Sequence, residues 1–215
     1  MPEQVLVKVC GLTDPREAAA CAHLGAWAIG LVFAAESARR VTPATARLVV
    51  DALPAGVRKV GVFVDPVPDE TAELVEACGL TDVQVHGAAV DVAAIRAACA
   101  RPVFQGYPVA GAGSLDAARR SDADLVLLDA AVPGRHGGTG STFDWALLDG
   151  VDLGRPFALA GGLTPDNVAE AVRRARPAVV DVSSGVERAS GRKDPELVRA
   201  FMEGVRAGAM AGSAA

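Results

Sequence analysis

One pattern repeats along the whole chain. Eight times in 215 residues a run of strand character gives way to a segment of helical character, at intervals of about 27 residues. The runs are Val5–Cys10, Ala26–Phe33, Arg58–Val64, Asp82–His86, Pro102–Tyr107, Leu125–Leu128, Pro156–Ala160 and Ala178–Val182. Several helices announce their starts: Asp14, Pro15 and Glu17 stand as N-cap, N1 and N3, and Thr42–Pro43, Thr164–Pro165 and Asp194–Pro195 pair a capping side chain with proline. The helix after the sixth run is expected over Phe143–Leu148, and the last one to about Val205. Strands alternating with helices imply a parallel sheet. Eight units predict a single (β/α)8 TIM barrel over residues 1–208, with 209–215 as a flexible C-terminal tail. A doubly wound open sheet would carry a GxGxxG turn after its first strand, whereas the turn at 10–15 reads CGLTDP.

Composition removes several function classes. Apolar residues make up 51 % of the chain, enough for a large core. A net charge of −5 argues against a nucleic-acid surface. No apolar run approaches the roughly 18 residues of a membrane span, and the start MPEQVLVKVCG lacks a signal-peptide pattern. Four cysteines without a CxxC spacing and three histidines give no metal site; a reducing cytoplasm is the expected home.

In barrels of this type the chemistry gathers at the C-terminal strand ends. Those ends supply Cys10, His86, Asp129 and Asp181, with Arg39 following the second strand. Asp129 closes a buried apolar run ahead of thirteen residues that hold four glycines, a proline and His136. Desolvation there would raise its pKa and suit it to donate a proton; the alternative is a loop cap. Cys10 is either an inert buried thiol or, with Lys8 on the same strand face, a thiolate. Cys10 and Asp129 would face each other across the mouth as base and acid. His86 reads as an acid–base or binding residue, or as a packed ring bonded by Gln84; Arg39 as a carboxylate clamp or a solvated side chain. Gly161–Gly162 and Ser183–Ser184–Gly185 follow the seventh and eighth strands, where such barrels commonly hold phosphate on backbone N–H groups.

These motifs, in this order, resemble phosphoribosylanthranilate isomerase. The likeness rests on KVCG at 8–11, VQVHG at 83–87, LLDA at 127–130 with GGTG at 137–140 and FDW at 143–145, LAGGL at 159–163, and DVSSGVE at 181–187 with GRKD at 191–194. It implies an Amadori rearrangement in tryptophan biosynthesis, with N-(5-phosphoribosyl)anthranilate becoming 1-(2-carboxyphenylamino)-1-deoxyribulose 5-phosphate. By the resemblance, Asp129 is the general acid and Cys10 the general base. Arg39 binds the anthranilate end, and His86 and Asp181 complete the substrate site. The implied partner is a small phosphorylated substrate, handled without metal or cofactor, nucleic acid or membrane, by a monomer or weak homodimer. The chain departs from the family in Ala38 between Ser37 and Arg39, in Ala88–Ala89 after Gly87, and in Trp27. Two rivals share the barrel: the bifunctional isomerase of histidine and tryptophan synthesis, which resembles this chain but uses an aspartate where Cys10 stands, and a catalytically silent phosphate-binding barrel.

Overall fold

The computed structural model describes residues 4–109, 112–130 and 153–212. Strands β1 (Leu6–Cys10), β2 (Ala28–Val32), β3 (Arg58–Val64), β4 (Asp82–His86), β5 (Val103–Val109), β6 (Leu125–Ala130), β7 (Phe157–Leu159) and β8 (Val179–Val182) close a barrel in chain order. Every neighbouring pair is parallel, and β8 returns to β1 with Lys8 level with Asp181. Helices α1 (Pro15–His23), α2 (Pro43–Asp51), α3 (Pro68–Cys78), α4 (Val92–Cys99), α5 (Ala112–Arg119), α6 (Val168–Ala175) and α7 (Pro195–Gly212) accompany them. The helix expected at Phe143–Leu148, and the loop with His136 and Gly134, Gly137, Gly138 and Gly140, lie outside the described residues. Among the described residues no helix is long and apolar enough to cross a membrane.

Strand alternation divides the interior into two cores. One set of side chains, including Val7, Val9, Ile29, Leu31, Val83, Val85, Val126 and Leu128, packs outward into the helices. The opposite set fills the barrel itself: Ala28, Val60 and Phe104 form one cluster, and Leu127, Ala158, Ala160 and Val179 another. Each fully buried Val or Leu contributes on the order of 1.5–3 kcal/mol. The outer sleeve therefore carries most of the stability, and the inner positions near the mouth are left for chemistry.

The helix starts follow their caps, with instructive exceptions. Asp14 accepts from the N–H groups of Arg16 and Glu17, and the Thr42 hydroxyl from Thr45 N–H. Glu17 does not close a capping box. Its carboxylate turns away to Arg188, Arg192 and the backbone N–H of Lys193. It thereby ties α1 to a hairpin the sequence reading did not foresee, β9 (Glu187–Ala189) with β10 (Arg192–Lys193). Helix α6 begins at Val168 rather than at Pro165, because the Asn167 amide first binds Thr164 N–H and the Gly162 carbonyl, drawing residues 162–167 into a turn. Helix α7 runs on to Gly212, past the expected stop near Val205. Its small residues permit a close crossing with α6. A Cβ at Gly204 would lie 2.7 Å from Val168, and one at Gly208 2.6 Å from the Ala169 carbonyl oxygen. Tertiary contact thus sustains a helix that composition alone would let fray.

Candidate active site

A cavity of about 820 Å³ opens at the C-terminal end of the strands. Cys10 from β1, His86 from β4, Asp129 from β6 and Asp181 from β8 all line it. So do Arg39 from the loop after β2, Gly161 and Gly162 after β7, and Ser183 and Ser184 after β8. Residues from distant parts of the chain are therefore brought to one chamber, as the strand-end reading expected. Gly185 is the exception among the expected set. It sits where loop 8 presses on loop 7, and a Cβ there would fall 1.9 Å from the Leu163 carbonyl oxygen.

Below Cys10 lies an ion pair inside the barrel. Lys8 Nζ stands 2.8 Å from Asp181 Oδ2, with the two side chains 2 % and 8 % exposed. Burial pulls the lysine pKa down, but Asp181 and Cys10 pull it further up, so Lys8 stays an ammonium. This pairing bears on the two readings of Cys10. Lys8 was to make Cys10 a thiolate; burial instead pushes the thiol above its ordinary range, and Lys8, shared with Asp181, offsets only part of that. Cys10 therefore rests as a thiol. The charge of Asp181 is matched by Lys8 at contact distance. Asp181 Oδ1 and Gln84 Oε1 are buried acceptors without a hydrogen-bond partner among the described residues.

Glycines make room for the working groups. A Cβ at Gly30 would lie 2.7 Å from Cys10 Sγ, and one at Gly106 2.4 Å from the His86 ring. His86 Nε2 lies 2.8 Å from the Gln84 amide, which combines the two readings of that histidine: it is bonded by Gln84 and it faces the cavity. Asp129 is half-buried at the end of β6. Gly161 and Gly162 have φ of +91° and +62°, a region where a side chain brings strain, so the turn after β7 needs glycine. The Ser183 hydroxyl donates to the Cys10 carbonyl at 3.0 Å and joins loop 8 to the end of β1.

The family model for N-(5'phosphoribosyl)anthranilate (PRA) isomerase matches residues 7–204. An N-(5'-phosphoribosyl)anthranilate isomerase of Desulforamulus reducens is 43 % identical over 202 residues, spanning 94 % of this chain and 95 % of its own. The chain belongs to the N-(5'-phosphoribosyl)anthranilate isomerase family. Among solved structures, the phosphoribosyl anthranilate isomerase of Thermotoga maritima superposes with a TM-score of 0.86 at 34 % identity, covering 94 % of this chain and 98 % of that one. A phosphoribosyl anthranilate isomerase in complex with reduced 1-(o-carboxyphenylamino)-1-deoxyribulose 5-phosphate superposes at 0.82 and 32 % identity over the same shares.

Within this isomerase the sequence reading missed how Arg39 is held. Its Nε and Nη2 donate to Glu187 Oε1 and Oε2 at 2.7 and 2.8 Å, a fork-to-fork pair. Lys193, 1 % exposed, donates to the same Glu187 Oε1 at 2.7 Å. The residues stood in motifs that carried the resemblance, but nothing in their spacing said that they meet Arg39, which lies some 150 positions earlier in the chain (|i−j| = 148).

Proposed function

We propose that the chain catalyses the Amadori rearrangement of N-(5-phosphoribosyl)anthranilate to 1-(2-carboxyphenylamino)-1-deoxyribulose 5-phosphate, with Asp129 as general acid and Cys10 as general base. The observation that carries the reading is the meeting of Cys10 and Asp129, from β1 and β6, in one cavity whose rim holds the loops after β7 and β8.

Asp129 delivers its proton to the furanose ring oxygen, and the C1–O bond breaks with that electron pair. The anthranilate nitrogen lone pair fills the vacated orbital and leaves an iminium. Cys10 then removes the proton from C2, and the electrons neutralise the iminium to an enolamine. Tautomerisation of the enol returns the ketone. Electrons move only within the substrate, so one acid and one base suffice. Only the thiolate of Cys10 can take the C2 proton; the thiol first gives its own proton to water, and burial keeps the anion scarce until something favours it. The positive iminium supplies that, because a cation beside a thiol lowers its pKa. The phosphate of the substrate lies against Gly161, Gly162, Ser183 and Ser184, with Gly185 keeping the two loops in contact. Arg39 faces the anthranilate carboxylate. A guanidinium has five N–H donors, and Glu187 takes two of them. His86 and Asp181, with its Oδ1 acceptor, flank the sugar.

Turnover of N-(5-phosphoribosyl)anthranilate tests the reading. Consumption of this substrate, with no turnover of the histidine-pathway aldose, is the expected result. Turnover of both would point to the bifunctional enzyme, and turnover of neither to a silent binder.

A further inference from the structure

We infer that Glu187 and Lys193 are positioning residues of this isomerase, which aim Arg39 and couple it to the loop after β8. The inference rests on the reading of Arg39 as the anthranilate clamp and names what sets its orientation.

Arg39 leaves its loop half-buried and passes over Gly11, whose φ is +79°; a Cβ there would lie 2.4 Å from Arg39 Cδ. The stem is thus seated on backbone, and the head is fixed by Glu187 at two points, 2.7 and 2.8 Å. A carboxylate that binds a guanidinium in this way fixes the plane of the fork as well as its place. Glu187 is itself held. Lys193 Nζ lies 2.7 Å from Glu187 Oε1 and 3.0 Å from the Ser183 carbonyl oxygen. Lys193 has little freedom of its own, since its side chain is 1 % exposed and its backbone N–H donates to Glu17 at 2.9 Å. Ser183 in turn bonds the carbonyl of Cys10 at 3.0 Å. One buried ammonium therefore joins the two ends of the cavity: through Glu187 it sets the arginine, and through Ser183 it sets the loop that faces the phosphate.

The test is a double-mutant cycle on the full chain with the substrate, supplemented by inorganic phosphate as competitive inhibitor. Arg39→Ala should raise KM. Glu187→Gln removes a charge-assisted acceptor and turns an amide donor toward cationic donors. It should raise KM on the order of tenfold, the scale of one charged hydrogen bond. kcat should move much less, because Arg39 grips the same carboxylate in ground and transition states. The double variant should be no worse than Arg39→Ala, since Glu187 acts through Arg39. Phosphate inhibition should be unchanged in Glu187→Gln and weakened in Lys193→Met, which loses both arms. If Glu187→Gln folds poorly, Glu187→Asp keeps the charge, withdraws it by one methylene and enters the same cycle. Additive effects of Arg39 and Glu187, or an unchanged KM in Glu187→Gln beside a raised one in Arg39→Ala, would overturn the inference and leave the function standing. An unchanged KM in Arg39→Ala would overturn the clamp and the inference with it.

Discussion

The two ends of the barrel are built from the same strands, and both pair their buried charges, yet they satisfy their buried acceptors to different degrees. At the N-terminal end Asp82 is wholly buried and accepts from Arg58 Nε at 2.9 Å, from Arg58 Nη2, and from the Thr81 hydroxyl at 2.6 Å. The Arg58 guanidinium lies over the rings of Trp27 and Phe104, 5.3 and 5.8 Å from their centroids. Asp82 and Arg58 thus pair with each other beside the stacked rings of Trp27 and Phe104. At the C-terminal end Cys10, Gln84, His86, Asp129 and Asp181 line the cavity beside Val32, Val62, Val64 and Leu127, and Gly30 and Gly106 leave room for Cys10 and His86. Acceptors on Gln84 and Asp181 have no partner among the described residues. Unpaired buried polar atoms cost stability, on the order of 1–3 kcal/mol each. The floor is thus more fully satisfied than the mouth.

Variants at the two ends should therefore fail in different ways. The largest effect is expected at Asp129→Asn, which keeps the shape and removes the proton. Its kcat should fall on the order of 10²–10⁴-fold, the usual span for a lost general acid. The melting temperature should hardly change and inorganic phosphate should still inhibit. Near-wild-type turnover would make Asp129 a loop cap and move the search for the acid to His86 or Asp181.

Cys10→Ser comes next, with a loss in kcat of roughly 100-fold or more and little change in substrate affinity. Because burial holds the wild-type thiol above its ordinary range, its anion is a minority species near neutrality. The wild-type kcat/KM should accordingly rise with pH toward and beyond about 8.5, the ordinary cysteine value. A profile flat from neutral to alkaline pH would argue against a protonated resting thiol.

Asp82→Ala probes the floor. Loss of its acceptors should cost about 1–3 kcal/mol of stability in urea unfolding. Arg58 sits at the lower side of that scale because its 36 % exposure lets water replace the carboxylate. kcat and KM should stay at wild-type values. A kinetic defect in a fully folded Asp82→Ala would erase the distinction between the ends.

The smallest expected effect is a pH dependence at Glu187. Burial pushes its carboxyl up, but hydrogen bonds from Arg39 and Lys193 outweigh that and hold it below the ordinary range. A carboxyl with a depressed pKa in the fold is protonated first in the unfolded chain. Its stabilisation is complete above the ordinary glutamate value near 4.3 and is lost as pH falls through the lower, folded value. The stability gap between wild type and Glu187→Gln should be constant from neutrality to about pH 5 and narrow below about 4. A gap that widens with acid would reverse the sign argued here.

Local signals determined a good deal of this molecule. The sequence placed β3 and β4 to the residue, because both carry apolar side chains at alternate positions, Lys59 apart, on the face that packs against the helices. Eight such units in one chain leave a closed barrel as the economical arrangement, and the barrel puts strand ends at one mouth. Cys10, Asp129, Arg39 and the loops after β7 and β8 could therefore be singled out by position alone. Tertiary structure decided what those residues touch. Lys8 was expected to serve Cys10 because the two share a face of β1, but the register of β1 on β8 sets it level with Asp181, which shares it. Glu17 looked like part of a capping box until the hairpin at 187–193 offered it two arginines and a backbone N–H. The Gly- and Ala-rich end of α7 looked like a tail until α6 gave it a surface to lie on. Patterning and capping act between residues a few positions apart, so the sequence carries them openly. Ion pairs and close helix crossings depend on distances between residues far apart in the chain, and those distances exist only once the barrel has closed.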